Sequence, residues 1–228
     1  LKTFSLAMKS TKGLYKGFYL GKDQEAKDSS KANDTIRKLS ADCYEACRRK
    51  PEAQKPGKML ILGLRAVGKS SLLNQVTAQK YNPKIKPTLG TQIIRSAVDN
   101  FKFNIYDLGG QEKIREGWYK KNIEPNAIIF VIDVSADKSQ HDVAKEEFVR
   151  MCENFFGKNA AQKIPEDTPV LILGNKIDLN EKFTEKDIEK LLNPKKHKLN
   201  YRIGLTSALN ADGIEENFKW LVKAFLFV

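Results

Sequence analysis

The 228-residue sequence predicts an α/β fold: a mostly parallel six-stranded sheet with one antiparallel hairpin strand, helices on both faces, and a helical amino-terminal extension. Three observations carry this. Short apolar runs alternate with longer segments of helical period downstream of Lys58. Two of the runs, AIIFVID at Ala127–Asp133 and VLILG at Val170–Gly174, are apolar on both faces, as strands inside a parallel sheet are. The first strand, Met59–Leu64, passes straight through a glycine-framed loop into a helix.

The elements follow in chain order. Residues 1–57 form an extension and linker, and residues 58–228 a single α/β domain; the boundary is the Lys50–Gly57 segment (KPEAQKPG), where two prolines and a glycine precede an apolar run. In the extension, Phe4, Met8, Thr11, Tyr15 and Phe18 recur at steps of four and three and trace one helical stripe. A second helical segment, Ser30–Arg49, puts Ala32, Ile36, Leu39, Cys43 and Cys47 on one face and is expected to dock on the domain. In the domain the expected strands are Met59–Leu64, Gln92–Ala97, Phe101–Tyr106, Ala127–Asp133, Val170–Gly174 and Tyr201–Leu205. The expected helices are Lys69–Gln79, Glu112–Asn122, Gln140–Phe156, Glu185–Asn193 and Gly213–Phe227. The short turn Val98-Asp99-Asn100 makes the second and third strands an antiparallel hairpin.

Composition narrows the partners. A net charge of +12, from 40 basic and 28 acidic side chains, suits an anionic partner: a nucleotide, a lipid surface or nucleic acid. The first 22 residues hold five lysines and no acid around the aromatic stripe, the composition of an interfacial helix for anionic lipid; permanent docking of the same stripe on the domain is the competing reading. Nucleic acid is not expected, because no stacking platform or RNA motif accompanies the charge. Cys43, Cys47 and Cys152 make neither a disulfide framework nor a zinc set, which fits a reducing compartment. No apolar run approaches the roughly 20 residues of a membrane-crossing helix. The start lacks the apolar stretch of a secretory signal, and the segment Ala224–Val228 has no cysteine for a prenyl group.

The chemistry sits in three places. Gly63-Leu64-Arg65-Ala66-Val67-Gly68-Lys69-Ser70 matches G-x-x-x-x-G-K-[ST] between a strand and a helix. Such a loop turns its N–H groups toward phosphate oxygens, so Gly63, Arg65, Ala66, Val67, Gly68, Lys69, Ser70 and Ser71 are the candidate phosphate-binding residues. Lys69 would meet the β- and γ-phosphates, and the Ser70 hydroxyl would ligate Mg²⁺. After the strand Val170–Gly174 comes Asn175-Lys176-Ile177-Asp178. A carboxylate accepts from guanine N1–H and the exocyclic amine, a donor pair that adenine lacks, so Asp178 selects GTP and GDP. Lys176 can lie along the base, Asn175 can tie this loop to the phosphate loop, and an N–H of Ser207 or Ala208 could reach guanine O6. Third, Asp107-Leu108-Gly109-Gly110-Gln111 ends the strand Phe101–Tyr106. Asp107 would hold Mg²⁺ through water, Gly110 would offer an N–H to the γ-phosphate, and Gln111 would orient the attacking water.

The set GLRAVGKS, PTLG, DLGGQE, NKID and TSA, in this order over about Lys58 to Val228, resembles the Ras superfamily of small GTPases and, within it, the Arf/Sar branch. Pro87-Thr88-Leu89-Gly90 is similar to that branch's P-T-x-G, the 19 residues from Thr88 to Asp107 to its short interswitch, and Trp118 to the tryptophan after its second switch. The resemblance implies a P-loop GTPase fold, GTP/GDP with Mg²⁺ as cofactors, and slow hydrolysis with Gln111 and Lys69 as catalytic residues. It implies Thr88 as the switch threonine that ligates Mg²⁺ and touches phosphate in the GTP form. It further implies a monomer with an exchange factor, an activating protein and effectors as partners. The expected location is cytoplasmic, with reversible attachment to an anionic membrane through residues 1–20 when GTP releases the amino-terminal helix.

Arg65 departs from the branch, which usually carries Asp there. It either acts on the γ-phosphate and Gln111, or points to solvent or pairs with an acid such as Glu112. The first option keeps a rival function open: a GTP-binding scaffold or receptor-subunit-like module with little or no hydrolysis. His141, His197 and the cluster Lys195–Lys198 are expected on the surface, without ligand roles.

Overall fold

Met59–Leu62 is apolar on both faces and meets no turn former until Gly63, and it becomes the strand on which the domain is hung, Gly57–Gly63 (β1). The computed structural model describes residues 56–78, 81–98, 101–120, 123–160 and 162–226. The two segments expected to be helical in the amino-terminal extension, Cys43, Cys47, the linker as far as residue 55 and the expected turn residues Asp99 and Asn100 lie outside them.

Five more strands complete the sheet: Thr91–Val98 (β2), Phe101–Leu108 (β3), Ala127–Asp133 (β4), Pro169–Asn175 (β5) and Asn200–Thr206 (β6). Their order is β2-β3-β1-β4-β5-β6. The β2–β3 pair is antiparallel, closing at Val98 opposite Phe101, and every other pair is parallel. The helices are Lys69–Ala78 (α1), Glu112–Arg115 (α2), Lys138–Phe156 (α3), Glu185–Leu192 (α4) and Ile214–Leu226 (α5). The expected six-stranded mixed sheet is therefore present, with each strand within two residues of its predicted bounds.

Both faces of the central strands are covered, which explains their unbroken apolar sequences. In β4, Ile128, Phe130 and Ile132 enter a core with Phe148 and Phe155 of α3 and Ile188 of α4. The alternate residues Ala127, Ile129 and Val131 enter the opposite core with Leu72 and Leu73 of α1 and Phe218 and Leu221 of α5. Side-chain caps mark the start of two helices. Asp137 accepts the Gln140 N–H at 2.9 Å ahead of α3, and Thr184 and Asp187 exchange a reciprocal pair ahead of α4.

One element differs from expectation. Glu112–Asn122 does not form one helix: α2 stops at Arg115, Gly117 N–H bonds back to Ile114 O, and Trp118–Lys120 makes a single 3-10 turn. Gly117 weakens the helix, and burial of the neighbouring Trp118 and Tyr119 decides the path of the chain. The two histidines are half-buried rather than surface groups. His141 meets the Asp133 carbonyl at 2.8 Å, and His197 stands edge-on to Phe148. Lys195 pairs with Glu189 from the 3-10 turn Pro194–His197.

The chain leaves β1 for β2 and β3 on one side of it and reaches β4 on the other. Opposite departures of this kind open a crevice at the carboxyl end of β1. That crevice depends on the β4 core. Phe130 is fully buried and edge-on to Phe148 at 5.1 Å, so Phe130→Ala in the full-length protein should lose about 3–5 kcal/mol of unfolding free energy. Urea denaturation measures this, and a loss below about 1 kcal/mol would contradict the packing described.

Candidate nucleotide site

At the carboxyl end of β1 the loop Gly63–Ser70 needs unusual backbone. Ala66 and Gly68 hold positive φ, 63° and 93°, on either side of Val67. Alternating handedness of this kind turns successive N–H groups into one concavity suited to an anion. Gly68 has a second reason to be glycine: a Cβ there would lie 2.3 Å from Asn175 Nδ2. Lys69 is buried, and its ammonium donates to Gly63 O at 2.9 Å and Leu64 O at 2.8 Å. Two of its three N–H groups are spent, and the third remains for a ligand. Burial draws the Lys69 pKa down to about 8, with Asp107 opposing and Arg115 reinforcing that shift. Ser71 follows Ser70 into α1 and is half-buried, and Arg65 is exposed with no ion pair among the described residues.

Ser70, Thr88 and Asp107 come from α1, the segment before β2, and β3, yet their oxygens meet. Ser70 Oγ donates to Asp107 Oδ2 at 2.5 Å and lies 2.9 Å from Thr88 Oγ1, which stands 3.2 Å from the same carboxylate oxygen. Asp107 is fully buried, and its other oxygen, Oδ1, has no hydrogen-bond partner among the described residues. Burial pushes its pKa up, against bonds from Ser70 and Thr88 and the charge of Lys69. A hard cation fits this donor set, because it would satisfy the stranded oxygen and stabilise the carboxylate. Among the described residues no three His, Cys, Asp or Glu side chains gather to hold a metal unaided. Mg²⁺ here would therefore rest on the two hydroxyls and the carboxylate, completed by phosphate oxygens.

Gly110 closes the cavity from β3. A Cβ on it would lie 2.3 Å from the Leu64 carbonyl and 2.5 Å from Arg65 N, so its backbone is packed directly on the phosphate loop. Gln111 follows, half-buried at the start of α2, with its carbonyl accepting from Ile114 and Arg115 N–H. Two nearby residues, Arg115 and Glu147, carry no signal in the sequence, and Trp118 is expected there only from the family resemblance. Trp118 Nε1–H donates to Gly109 O, Arg115 Nη1–H donates to Gly110 O, both at 3.0 Å, and Arg115 Nε stands 3.1 Å from Glu147 of α3.

At the end of β5, Asn175 joins the loops. Its Nδ2–H donates to Val67 O at 2.8 Å, and its Oδ1 accepts from Ala208 N–H at 3.1 Å and Thr206 Oγ1–H at 3.3 Å. Asp178 Oδ1 accepts the Ser207 hydroxyl at 2.5 Å. Lys176, in left-handed backbone, pairs with Asp133 at 2.6 Å. Burial would raise the Asp133 pKa, but bonds from Lys176 and Ser135 outweigh it and hold the carboxyl below its ordinary value. The expectation of a free N–H at Ser207 or Ala208 needs adjustment: Ser207 N–H donates to Asp212 O, and Ala208 N–H is the one held by Asn175. Gln75 Nε2–H of α1 donates to the Ala208 carbonyl at 2.8 Å, so Ala208 is held through both of its backbone polar groups.

Comparison with known proteins agrees with the geometry. The sequence profile of the ADP-ribosylation factor family matches residues 44–225. The chain is 32% identical over 165 residues to the ADP-ribosylation factor-like protein alp41 of Schizosaccharomyces pombe, covering 72% of this chain and 83% of that one. It is 32% identical over 174 residues to ADP-ribosylation factor K of Dictyostelium discoideum, covering 76% and 87%. Among solved structures, it resembles the Arl6 BBS3 small GTPase from Trypanosoma brucei with bound nucleotide analogue GppNp. The TM-score is 0.64 at 25% identity, covering 75% of this chain and 98% of the other.

Asn175→Ala would leave Val67 O and Ala208 N–H buried without their partner. It should cost about 3 kcal/mol of stability in denaturant unfolding, while a loss under about 0.5 kcal/mol would contradict the role of the amide.

Proposed function

Because the chain belongs to the ADP-ribosylation factor family of small GTPases, we propose that it is an Arf-like switch protein that alternates between GDP and GTP forms and hydrolyses GTP slowly. The observation that carries this reading is the meeting of Thr88 with Ser70 and Asp107. Thr88 precedes β2, outside the regular elements, and its hydroxyl reaches the magnesium-competent oxygens. A metal held with the γ-phosphate would fix that segment, and loss of the phosphate would release it. The same logic applies on the other side, where the Gly110 backbone packs on the phosphate loop beside the place a γ-phosphate would occupy.

In the proposed turnover Mg²⁺, when bound, neutralises phosphate charge. Lys69 directs its remaining N–H at the phosphates, the loop amides stabilise equatorial oxygens, and Gln111 orients water in line with the leaving group. No arginine among the described residues is placed as a finger, so an activating protein supplies it. Arg65 is exposed and unpaired among the described residues, which gives the scaffold reading without hydrolysis no structural support. Asp178, fixed by Ser207, reads guanine. Residues 1–20, with lysines around an aromatic stripe, attach the GTP form to anionic membrane and so bring effectors there.

Single-turnover hydrolysis by the full-length protein should run on the order of 10⁻⁴–10⁻² per second, and Gln111→Leu should slow it at least about tenfold with GTP binding retained. No hydrolysis by the unsubstituted chain would favour the scaffold. Flotation with phosphatidylserine vesicles should recover the GTPγS form over the GDP form, and Phe4→Glu with Phe18→Glu should abolish the difference. Equal recovery of both forms would contradict the membrane switch.

A further inference from the structure

Resting on the reading of this site as a GTPase switch, we infer that Arg115 and Glu147 are positioning residues that hold the Gly109-Gly110-Gln111 backbone in its phosphate-competent orientation. A trans peptide sets its C=O and the next N–H in opposite directions. Trp118 holds Gly109 O and Arg115 holds Gly110 O, each at 3.0 Å. Two side chains thus clamp two successive carbonyls, and in doing so they aim the Gly110 and Gln111 N–H groups the other way. Gly110 is already in contact with Leu64 and Arg65 of the phosphate loop. The clamp therefore decides whether an N–H meets the γ-phosphate and where Gln111 begins.

The guanidinium that bonds Gly110 O also meets a buried carboxylate. Glu147 of α3 is 3% exposed, and its Oε1 lies 3.1 Å from Arg115 Nε. Oε1 also receives Arg150 Nη1 at 3.1 Å, whereas Oε2 has no hydrogen-bond partner among the described residues. The Arg115 Nε contact is an ion pair without the alignment of a hydrogen bond. Both partners therefore keep unspent bonding capacity, and the pair can tighten as the segment settles on a phosphate. Arg150 keeps Glu147 paired even without Arg115. The function left to Arg115 is therefore on the Gly110 side, in positioning more than in burying a charge. Glu147 extends that control to α3, a helix that contributes no atom to the phosphate cavity itself.

The test uses full-length protein with Arg115→Met, Arg115→Lys and Glu147→Gln. It reads GDP affinity, GTPγS affinity, single-turnover hydrolysis and the Trp118 fluorescence change on exchange of GDP for GTPγS. Arg115→Met should keep GDP affinity within about threefold but weaken GTPγS binding and hydrolysis about tenfold, the scale of one charge-assisted hydrogen bond. It should also lose most of the Trp118 signal. Arg115→Lys should behave alike, because an ammonium cannot bridge Gly110 and Glu147 as a guanidinium does. Glu147→Gln should shift the same readouts in the same direction, and the double variant should be no worse than Arg115→Met. Unchanged GTPγS affinity and hydrolysis in Arg115→Met would overturn the inference, as would equal losses for GDP and GTPγS, the sign of a merely structural role. If the unsubstituted protein binds no guanine nucleotide, the reading of the site falls first and the inference with it. If it binds normally and the variants match it, the inference alone falls.

Discussion

One buried carboxamide holds the site together. Asn175, 1% exposed at the end of β5, donates to the phosphate loop through Val67 O and accepts from the loop after β6 through Ala208 N–H. Three loops from three strands are thereby fixed relative to one another by a group that has no freedom to move. Its presence forbids a side chain at Gly68, so the glycine and the asparagine, distant in sequence, are one constraint seen from two sides. Phosphate cradle and base reader lie a fixed distance apart, as recognition of a nucleotide requires.

The sheet makes that constraint possible. β4 and β5 are buried on both faces, which removes slack from the strand ends that carry Asp133 and Asn175. On the other side of β1 the architecture is different. Among the described strands the β2–β3 hairpin pairs with the rest of the sheet through β3, with Ile94 of β2 packed on the core, and α2 is a single turn. Thr88 and Gly110, proposed above to respond to a γ-phosphate, flank this hairpin. A rigid half that binds and a lightly held half that responds is the division that a nucleotide-dependent switch needs.

Much of this was legible in the sequence. The glycine-framed loop, the NKID tetrapeptide and the apolar strands are local patterns whose residue types are dictated by backbone sterics or by burial, and the structure places them as expected. What escaped is long-range. Nothing local links Arg115 to Glu147, or Lys176 to Asp133; each pair forms because the sheet brings separate segments together. The break of the expected Glu112–Asn122 helix is of the same kind, since helix propensity lost to the burial of Trp118 and Tyr119 against residues elsewhere in the chain. The spent N–H groups of Ser207 and Ala208 depended on Asp212 and Asn175, which spacing alone does not assign.

The proposed switch requires guanine nucleotide to be held across the loops that Asn175 joins. Calorimetric titration of nucleotide-stripped, full-length protein with GDP and with ADP, both in Mg²⁺, measures this directly. Asp178, fixed by Ser207, should make GDP at least about 10³-fold tighter than ADP, since adenine offers this half-buried carboxylate no donor pair. Equal affinities for the two, or heat from neither, would contradict it.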